Sequence, residues 1–445
     1  MHTRKSFGRR RLRKLPAVAL TAAALAVLPA VPALADTPAV APAVTGADFY
    51  TPPANVGVYA NGAIIKYEDS AVAYLGVPAK RIMYRSNDVN NQPVAVTGTL
   101  LQATAPWRGP GARPLVSYAV GTIGQGDQCA PSKLFNQGLE YEGAPLFPML
   151  AAGVDVVVTD YEGLGDPTRV HTYVNRVDEA NAVLDAAIAA KKLGAMNLPG
   201  VDVPAAGKVG IYGYSQGGGA AAAAAELQHA YAPSLDSLLV GTAAGAPPAD
   251  LATVAENIDG GSLAGAFGYT INGLIQDYPE IADRNMPGNI YSLLNDQGKN
   301  VLAATAGECV AETALRFAFQ HTSSYTNSGQ PATSFLADPK LPYQRIVDAQ
   351  KIGTLTPTAP VYIWQGRNDD VVPFGQSLQL ARDWCSKTGH APVQFKEYDF
   401  PAVFPGVGIG HVLPAVLGLP EAQGWLYQRL IGVPATDGCG ALPAA

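Results

Sequence analysis

Gly213-Tyr214-Ser215-Gln216-Gly217 is the segment whose residue types most clearly suit chemistry. It fits G-x-S-x-G, in which a serine sits on a sharp turn between a strand and a helix. The flanks agree with that reading. Val209-Gly210-Ile211-Tyr212 is apolar and β-prone, and Gly217-Gly218-Gly219 leads into an alanine tract, Ala220 to Ala225. Small neighbours are needed because the turn strains the serine backbone and brings strand and helix close together. A glycine-rich connection without chemistry is the alternative reading of the same residues.

A serine hydroxyl is a weak nucleophile near neutrality and needs a base that is itself oriented by a carboxylate. On this type of turn the chain order is Ser, then Asp or Glu, then His. His411 is the candidate base. It falls in Gly408-Ile409-Gly410-His411, read as a glycine-rich loop after the last strand and before a terminal helix from Pro414 to Ile431. His229 lies one helix beyond the serine, His321 in a helical insertion and His390 in a polar turn, all read as structural. Gly366-Arg367-Asn368-Asp369-Asp370-Val371-Val372-Pro373 follows an apolar strand and offers Asp369 as the orienting acid, with Asp370 as the fallback. For the oxyanion, one donor is expected in the backbone N–H of Gln216. The second is expected from Gly121-Thr122-Ile123-Gly124, at Thr122 or Ile123.

The elements that must hold these residues alternate between strands and helices. Arg81–Arg85 and Val94–Leu101 flank turn residues and predict a hairpin. Pro114–Val120, Val154–Asp160, the Val209 run, Leu238–Ala243, Pro360–Gln365 and Val393–Tyr398 read as further strands. Helices are predicted over 176–192 and 375–387. The alternation implies an α/β fold, a mostly parallel sheet covered on both faces. Residues 248–345 break the rhythm, are helical in flavour, and read as a cap or lid inserted between two strands. The core is then 47–247 together with 346–445.

Composition narrows the function classes. Seven basic residues between Arg4 and Lys14, an apolar run from Ala17 to Pro32, and Ala33-Leu34-Ala35 predict a signal peptide over 1–35. A flexible Pro/Ala-rich lead-in is expected over 36–46. Without the leader the charge is 30 − 7 = 23 basic against 36 acidic residues, net −13, which speaks against nucleic acid as a partner. Cys129, Cys309, Cys385 and Cys439 in an exported chain favour two disulfides, with three pairings open. No phosphate loop, dinucleotide fingerprint or metal-ligand spacing is present, so neither cofactor nor metal is expected.

The chain resembles the secretory lipase family of α/β-hydrolases, the group related to yeast lipase A. The resemblance is carried by Pro93–Thr99, by Gly121-Thr122 running to Cys129-Ala130-Pro131-Ser132, by Val158–Gly165, by Gly213–Gly218 and by Gly366–Pro373. It implies hydrolysis of carboxylic esters, acylglycerols included, with Ser215, Asp369 and His411 as the triad and 248–345 as a cap shaping an acyl tunnel. It further implies disulfides Cys129–Cys309 and Cys385–Cys439. The family pattern has an acidic residue where this chain has Ile123, so only a backbone donor is implied there. A secreted monomer acting on small-molecule or lipid esters, with transient contact with a lipid interface, is the expectation. A peptidase or other acyl hydrolase on the same scaffold is the alternative, and a non-catalytic binding protein a further one; the Ala/Gly/Leu content of 251–275 leans to lipid.

Overall fold

Nine strands build one sheet: β1 (Ile64–Ser70), β2 (Ala79–Asn87), β3 (Pro93–Leu101), β4 (Leu115–Ala119), β5 (Asp155–Thr159), β6 (Val209–Tyr214), β7 (Leu239–Gly245), β8 (Val361–Gly366) and β9 (Val393–Tyr398). This computed structural model describes residues 49–72 and 74–444; the expected signal peptide and lead-in lie outside the described residues. The spatial order is β1-β2-β3-β5-β4-β6-β7-β8-β9. β1 to β3 and β5 pair antiparallel, and every pair from β5 through β4 to β9 is parallel. The predicted hairpin is β2–β3, closed where Asn87 faces Pro93. Every residue of β4 and β5 is buried, as expected of apolar strands covered on both faces. The chain goes from β4 outward to β5, then crosses back to β6 on the other side of β4. The crevice at the carboxyl ends of β4 and β6 therefore lies where strand order reverses, the usual place for a ligand in such sheets.

Helices α1 (Pro131–Gln137) and α2 (Gly143–Ala151) join β4 to β5, and α3 (Arg176–Ala195) joins β5 to β6. Asn175 caps α3, its side chain accepting from the N–H groups of Val177 and Asp178. Helix α4 (Gln216–Tyr231) leaves β6 directly, and its Ala220 to Ala224 are fully buried. Methyl groups let α4 lie close to α3 and the sheet. Larger side chains there would overpack at a cost of about 1–3 kcal/mol each.

Between β7 and β8 lie α5 (Leu251–Ile258), α6 (Ala266–Asp277), α7 (Ile290–Leu293), α8 (Asp296–Thr305), α9 (Val310–Phe317) and α10 (Tyr343–Ala349). They bury an apolar cluster of their own, including Leu274, Ile290, Leu302, Phe317 and Ile346, apart from the main core around the sheet. Helix α11 (Phe374–Cys385) joins β8 to β9. Cys129 is bonded to Cys309 and Cys385 to Cys439, the pairing implied by the resemblance.

The C-terminal reading needs correction. His411 lies in the first turn of α12 (Ile409–Leu417) rather than in a loop, and the predicted Pro414–Ile431 helix is two helices, with α13 spanning Leu419–Leu430. The starting signal is Gly408, left-handed at φ 88°, and Pro414, where the terminal helix was expected to begin, lies inside α12. A first-turn proline, Pro420, opens α13.

Candidate active site

Ser215 occupies the turn between β6 and α4 with φ 60° and ψ −124°, a strained region for a residue with a Cβ. Two backbone hydrogen bonds hold it: Ser215 N–H donates to the Gly245 carbonyl at 2.9 Å, and Gly219 N–H donates to the Ser215 carbonyl at 2.9 Å. The glycines permit the approach of helix to strand. A Cβ on Gly217 would sit 2.0 Å from the Ala119 carbonyl oxygen. Since α4 starts at Gln216, the serine stands at the positive end of a 16-residue helix.

His411 reaches the serine from the far end of the chain. Its Nε2 lies 2.8 Å from Ser215 Oγ and its Nδ1 2.8 Å from Asp369 Oδ2. Asp369 is anchored in turn, Oδ1 accepting the N–H groups of Val371 and Val372 at 2.9 Å and Oδ2 accepting Gln365 Nε2 at 2.7 Å. Two backbone donors and an amide thus fix the orientation of the carboxylate. The fallback acid, Asp370, does another job: its Oδ2 accepts the N–H groups of Gly406 and Gly408 at 2.9 and 2.8 Å, securing the segment that delivers His411. Tyr214 packs its ring 5.1 Å from the imidazole, and its hydroxyl donates to the His411 carbonyl at 2.7 Å.

Beside the serine, the Gln216 side chain is pinned below the turn. Its Nε2 donates to Glu179 Oε1 at 2.7 Å and contacts His171 Nε2 at 2.9 Å. Burial drives the His171 imidazole down to about 4, so it is neutral, and its Nδ1 lies 2.8 Å from the Glu162 carbonyl. That places the ring proton on Nδ1 and leaves Nε2 to accept from Gln216. Burial pushes Glu179 up to about 8, against the stabilising hydrogen bonds from Gln216 and Val174.

The two residues named for the second oxyanion donor are placed differently. Thr122 lines the cavity over Ser215, its hydroxyl 2.8 Å from that of Tyr173. Ile123 is packed with Cys129, Ala130 and Leu164, and its carbonyl accepts Val310 N–H at 2.9 Å. The loop is held from beneath by buried Glu142, whose Oε1 accepts Gly121 N–H at 2.5 Å and whose Oε2 accepts the Tyr118 hydroxyl at 2.8 Å.

A cavity of about 130 Å³ opens over Ser215, Gln216 and Thr122. Its walls come largely from the β7–β8 insertion, with Leu251, Ala255, Phe267, Ile271, Leu274 and Phe335 among them. Of the described residues lining it, Asp259 alone carries a charge.

The structure brings Ser215, Asp369, His411, Gln216 and Thr122 to one crevice and leaves Ile123 out of it. His229, His321 and His390 lie elsewhere, beside Asp236, Asp259 and the Ala391 carbonyl respectively. Sequence reasoning missed His171, Glu179 and Glu142, whose partners Gln216 and Gly121 lie 21 to 45 residues away in the chain, and Gln365, which stands four residues before Asp369. His171 follows the turn Tyr161-Glu162-Gly163-Leu164-Gly165 at a strand end, but it precedes the serine and so falls outside the chain order of a triad partner.

Known proteins resemble this chain over most of its length. The secretory lipase profile matches residues 130–438. Lipase 2 of Candida albicans is 28% identical over 427 residues, covering 88% of this chain and 82% of that protein. A secreted triacylglycerol lipase of Malassezia restricta is 27% identical, covering 88% and 80%. Among solved structures, lipase A of Candida antarctica superposes with a TM-score of 0.70 at 23% identity, covering 89% and 88%. A rice cell wall degrading esterase of Xanthomonas oryzae gives 0.70 at 20% identity, covering 84% and 100%. Among the described residues no helix is long and apolar enough to cross a membrane. With an α/β-hydrolase fold and a profile match over more than half its length, the chain belongs to the secretory lipase family.

Proposed function

We propose that this protein is a secreted serine carboxylic-ester hydrolase that acts on acyl esters, acylglycerols among them, through an acyl-enzyme intermediate. The observation that carries this reading is the hydrogen-bonded series Ser215–His411–Asp369, with Ser215 lining an apolar cavity. In the first half-reaction Ser215 Oγ attacks the acyl carbon and its proton passes to His411 Nε2, with Asp369 stabilising the imidazolium that forms. The negative oxygen is held by Gln216 N–H and, on this reading, by Thr122 N–H. His411 then delivers the proton to the departing alcohol. Water then attacks the acyl carbon as His411 Nε2 takes its proton, and the imidazolium returns that proton to Ser215 Oγ as the acyl–oxygen bond breaks, releasing the acid and free Ser215.

The β7–β8 insertion fits a helical cap over 248–345, since its helices wall the cavity and bury their own apolar cluster. A lining with one charge suits an acyl chain better than a peptide terminus. Turnover of p-nitrophenyl esters from acetate to palmitate, measured for wild type and Ser215→Ala, tests the proposal. Loss of nearly all turnover in a variant with unchanged circular dichroism is expected; a Ser215→Ala enzyme of near wild-type rate overturns it.

A further inference from the structure

Val174 adopts φ 55°, a left-handed backbone that a β-branched side chain rarely takes. Strain of this kind persists only where surrounding contacts enforce it, and it gathers at functional sites. Contacts on either side enforce it here. The Val174 N–H donates to Glu179 Oε1 at 2.9 Å, and Asn175, next in the chain, is committed to capping α3. Helix α6 presses on the segment from the insertion: a Cβ on Gly273 would sit 2.9 Å from the Tyr173 nitrogen. Asn272 Nδ2 donates to Gln125 Oε1 at 3.0 Å, and Gln125 Nε2 donates to the His171 carbonyl at 2.8 Å.

Both residues assigned to the oxyanion rest on this short segment. Glu179 Oε1, which takes the Val174 N–H, also accepts Gln216 Nε2 at 2.7 Å. The neutral His171 ring accepts the other Gln216 amide proton through Nε2 at 2.9 Å. Gln216, His171 and Glu179 are all buried, which shields these bonds from competing water. Tyr173 lines the cavity and sets its hydroxyl 2.8 Å from that of Thr122. Its ring stands edge-on to His171, with centroids 6.1 Å apart, so the two supports brace one another.

A preorganised donor stabilises the oxyanion because it needs no reorganisation as charge develops. Two donors on separate loops must also keep a spacing that lets both reach one oxygen. Building on the serine-hydrolase reading above, we propose that His171 and Glu179, acting through Gln216, and Tyr173, acting through Thr122, are positioning residues that fix this spacing. With Val174 left-handed, Tyr173 faces Thr122 while the Val174 N–H faces Glu179. Loosening either support misplaces a donor whose bond is strongest in the transition state, so kcat falls while KM holds.

The test uses the full secreted chain with p-nitrophenyl butyrate and with butylboronic acid, which forms a tetrahedral adduct on a reactive serine and mimics the transition state. Tyr173→Phe removes one hydroxyl and is expected to lower kcat about 10-fold, with KM within about twofold and boronate affinity reduced about as much as kcat. Glu179→Ala is expected to lower kcat about 100-fold, and Glu179→Gln, which keeps an acceptor oxygen for Gln216 and Val174, should recover most of that loss. A merely structural role would lower Tm without moving boronate affinity. A Tyr173→Phe enzyme with wild-type kcat and boronate affinity overturns the assignment, and so does one in which KM rises while kcat holds. A Glu179→Gln enzyme no faster than Glu179→Ala counts against it equally; if Glu179→Ala does not fold, Tyr173→Phe decides without it. Failure of the hydrolase reading itself looks different: wild type would then ignore the boronate, or Ser215→Ala would keep its turnover.

Discussion

Ser215 Oγ and His411 Nε2 stand 2.8 Å apart although 196 residues separate them in the chain. Their meeting depends on two glycine-assisted devices: the turn after β6, and the Gly408 start of α12, whose N–H is held by Asp370. Removing the nucleophile should therefore abolish turnover without unfolding the protein. Ser215→Ala is expected to lower kcat by about 10⁶-fold, and Asp369→Asn by about 10⁴-fold because the imidazole loses its orienting partner. Steady-state kinetics with p-nitrophenyl butyrate, alongside thermal melts, checks both.

Glu142 touches no substrate position; it holds Gly121 N–H one residue before Thr122. Glu142→Ala would leave that N–H and the Tyr118 hydroxyl without their acceptor and loosen the oxyanion loop. On the proposed mechanism kcat falls by about 10- to 100-fold with KM nearly unchanged, below the roughly 2.7–4 kcal/mol lost when an oxyanion donor itself is removed. Glu142→Gln keeps an acceptor oxygen and should restore most of the rate. If KM rises and kcat holds, Glu142 serves binding rather than the oxyanion loop.

Local rules made much of this legible. The strands and α3, α4 and α11 follow from apolar runs and helical spacing, and the parallel sheet from their alternation. Chain order, together with loops placed after sheet strands, pointed to His411 and to Asp369 with Asp370 as the fallback, because the turn at Ser215 restricts where partners can come from. What stayed hidden was tertiary. Glu142 and Gly121 are 21 residues apart, and Gln216 and His171 are 45 apart. No periodicity links such pairs; only the crossing of β4 past β5 and β6 joins them. The misplaced start of the terminal helix has a different cause: Pro414, where it was expected to begin, lies inside α12, and the first-turn proline is Pro420 of α13.

Buried acids near the oxyanion loop give stability a pH dependence. Burial, reinforced by the neighbouring Glu142 charge, pushes Glu140 up to about 8, and burial pushes Glu142 up to about 7. Both exceed the ordinary value of 4.5, so the folded state holds protons that the unfolded chain has released. Their stabilisation is complete below about pH 4.5 and is lost as pH rises through 7 and 8. Tm should fall across this window, and Glu140→Gln should flatten the profile by removing one titrating group. A Glu140→Gln protein whose Tm tracks wild type at every pH counts against this account.

Ala255 lies on α5 and lines the cavity with only a methyl group. Ala255→Trp fills space that a long acyl chain would occupy and leaves the hydrogen bonds of Ser215 untouched. Each methylene kept in water forfeits about 0.8 kcal/mol, so excluding four costs about 3 kcal/mol, roughly 100-fold in kcat/KM. Palmitate esters should suffer this loss while acetate esters keep near wild-type rates. Parallel loss for both esters would instead mean that the acyl chain lies outside the cavity walled by α5 and α6, and that the insertion serves stability alone.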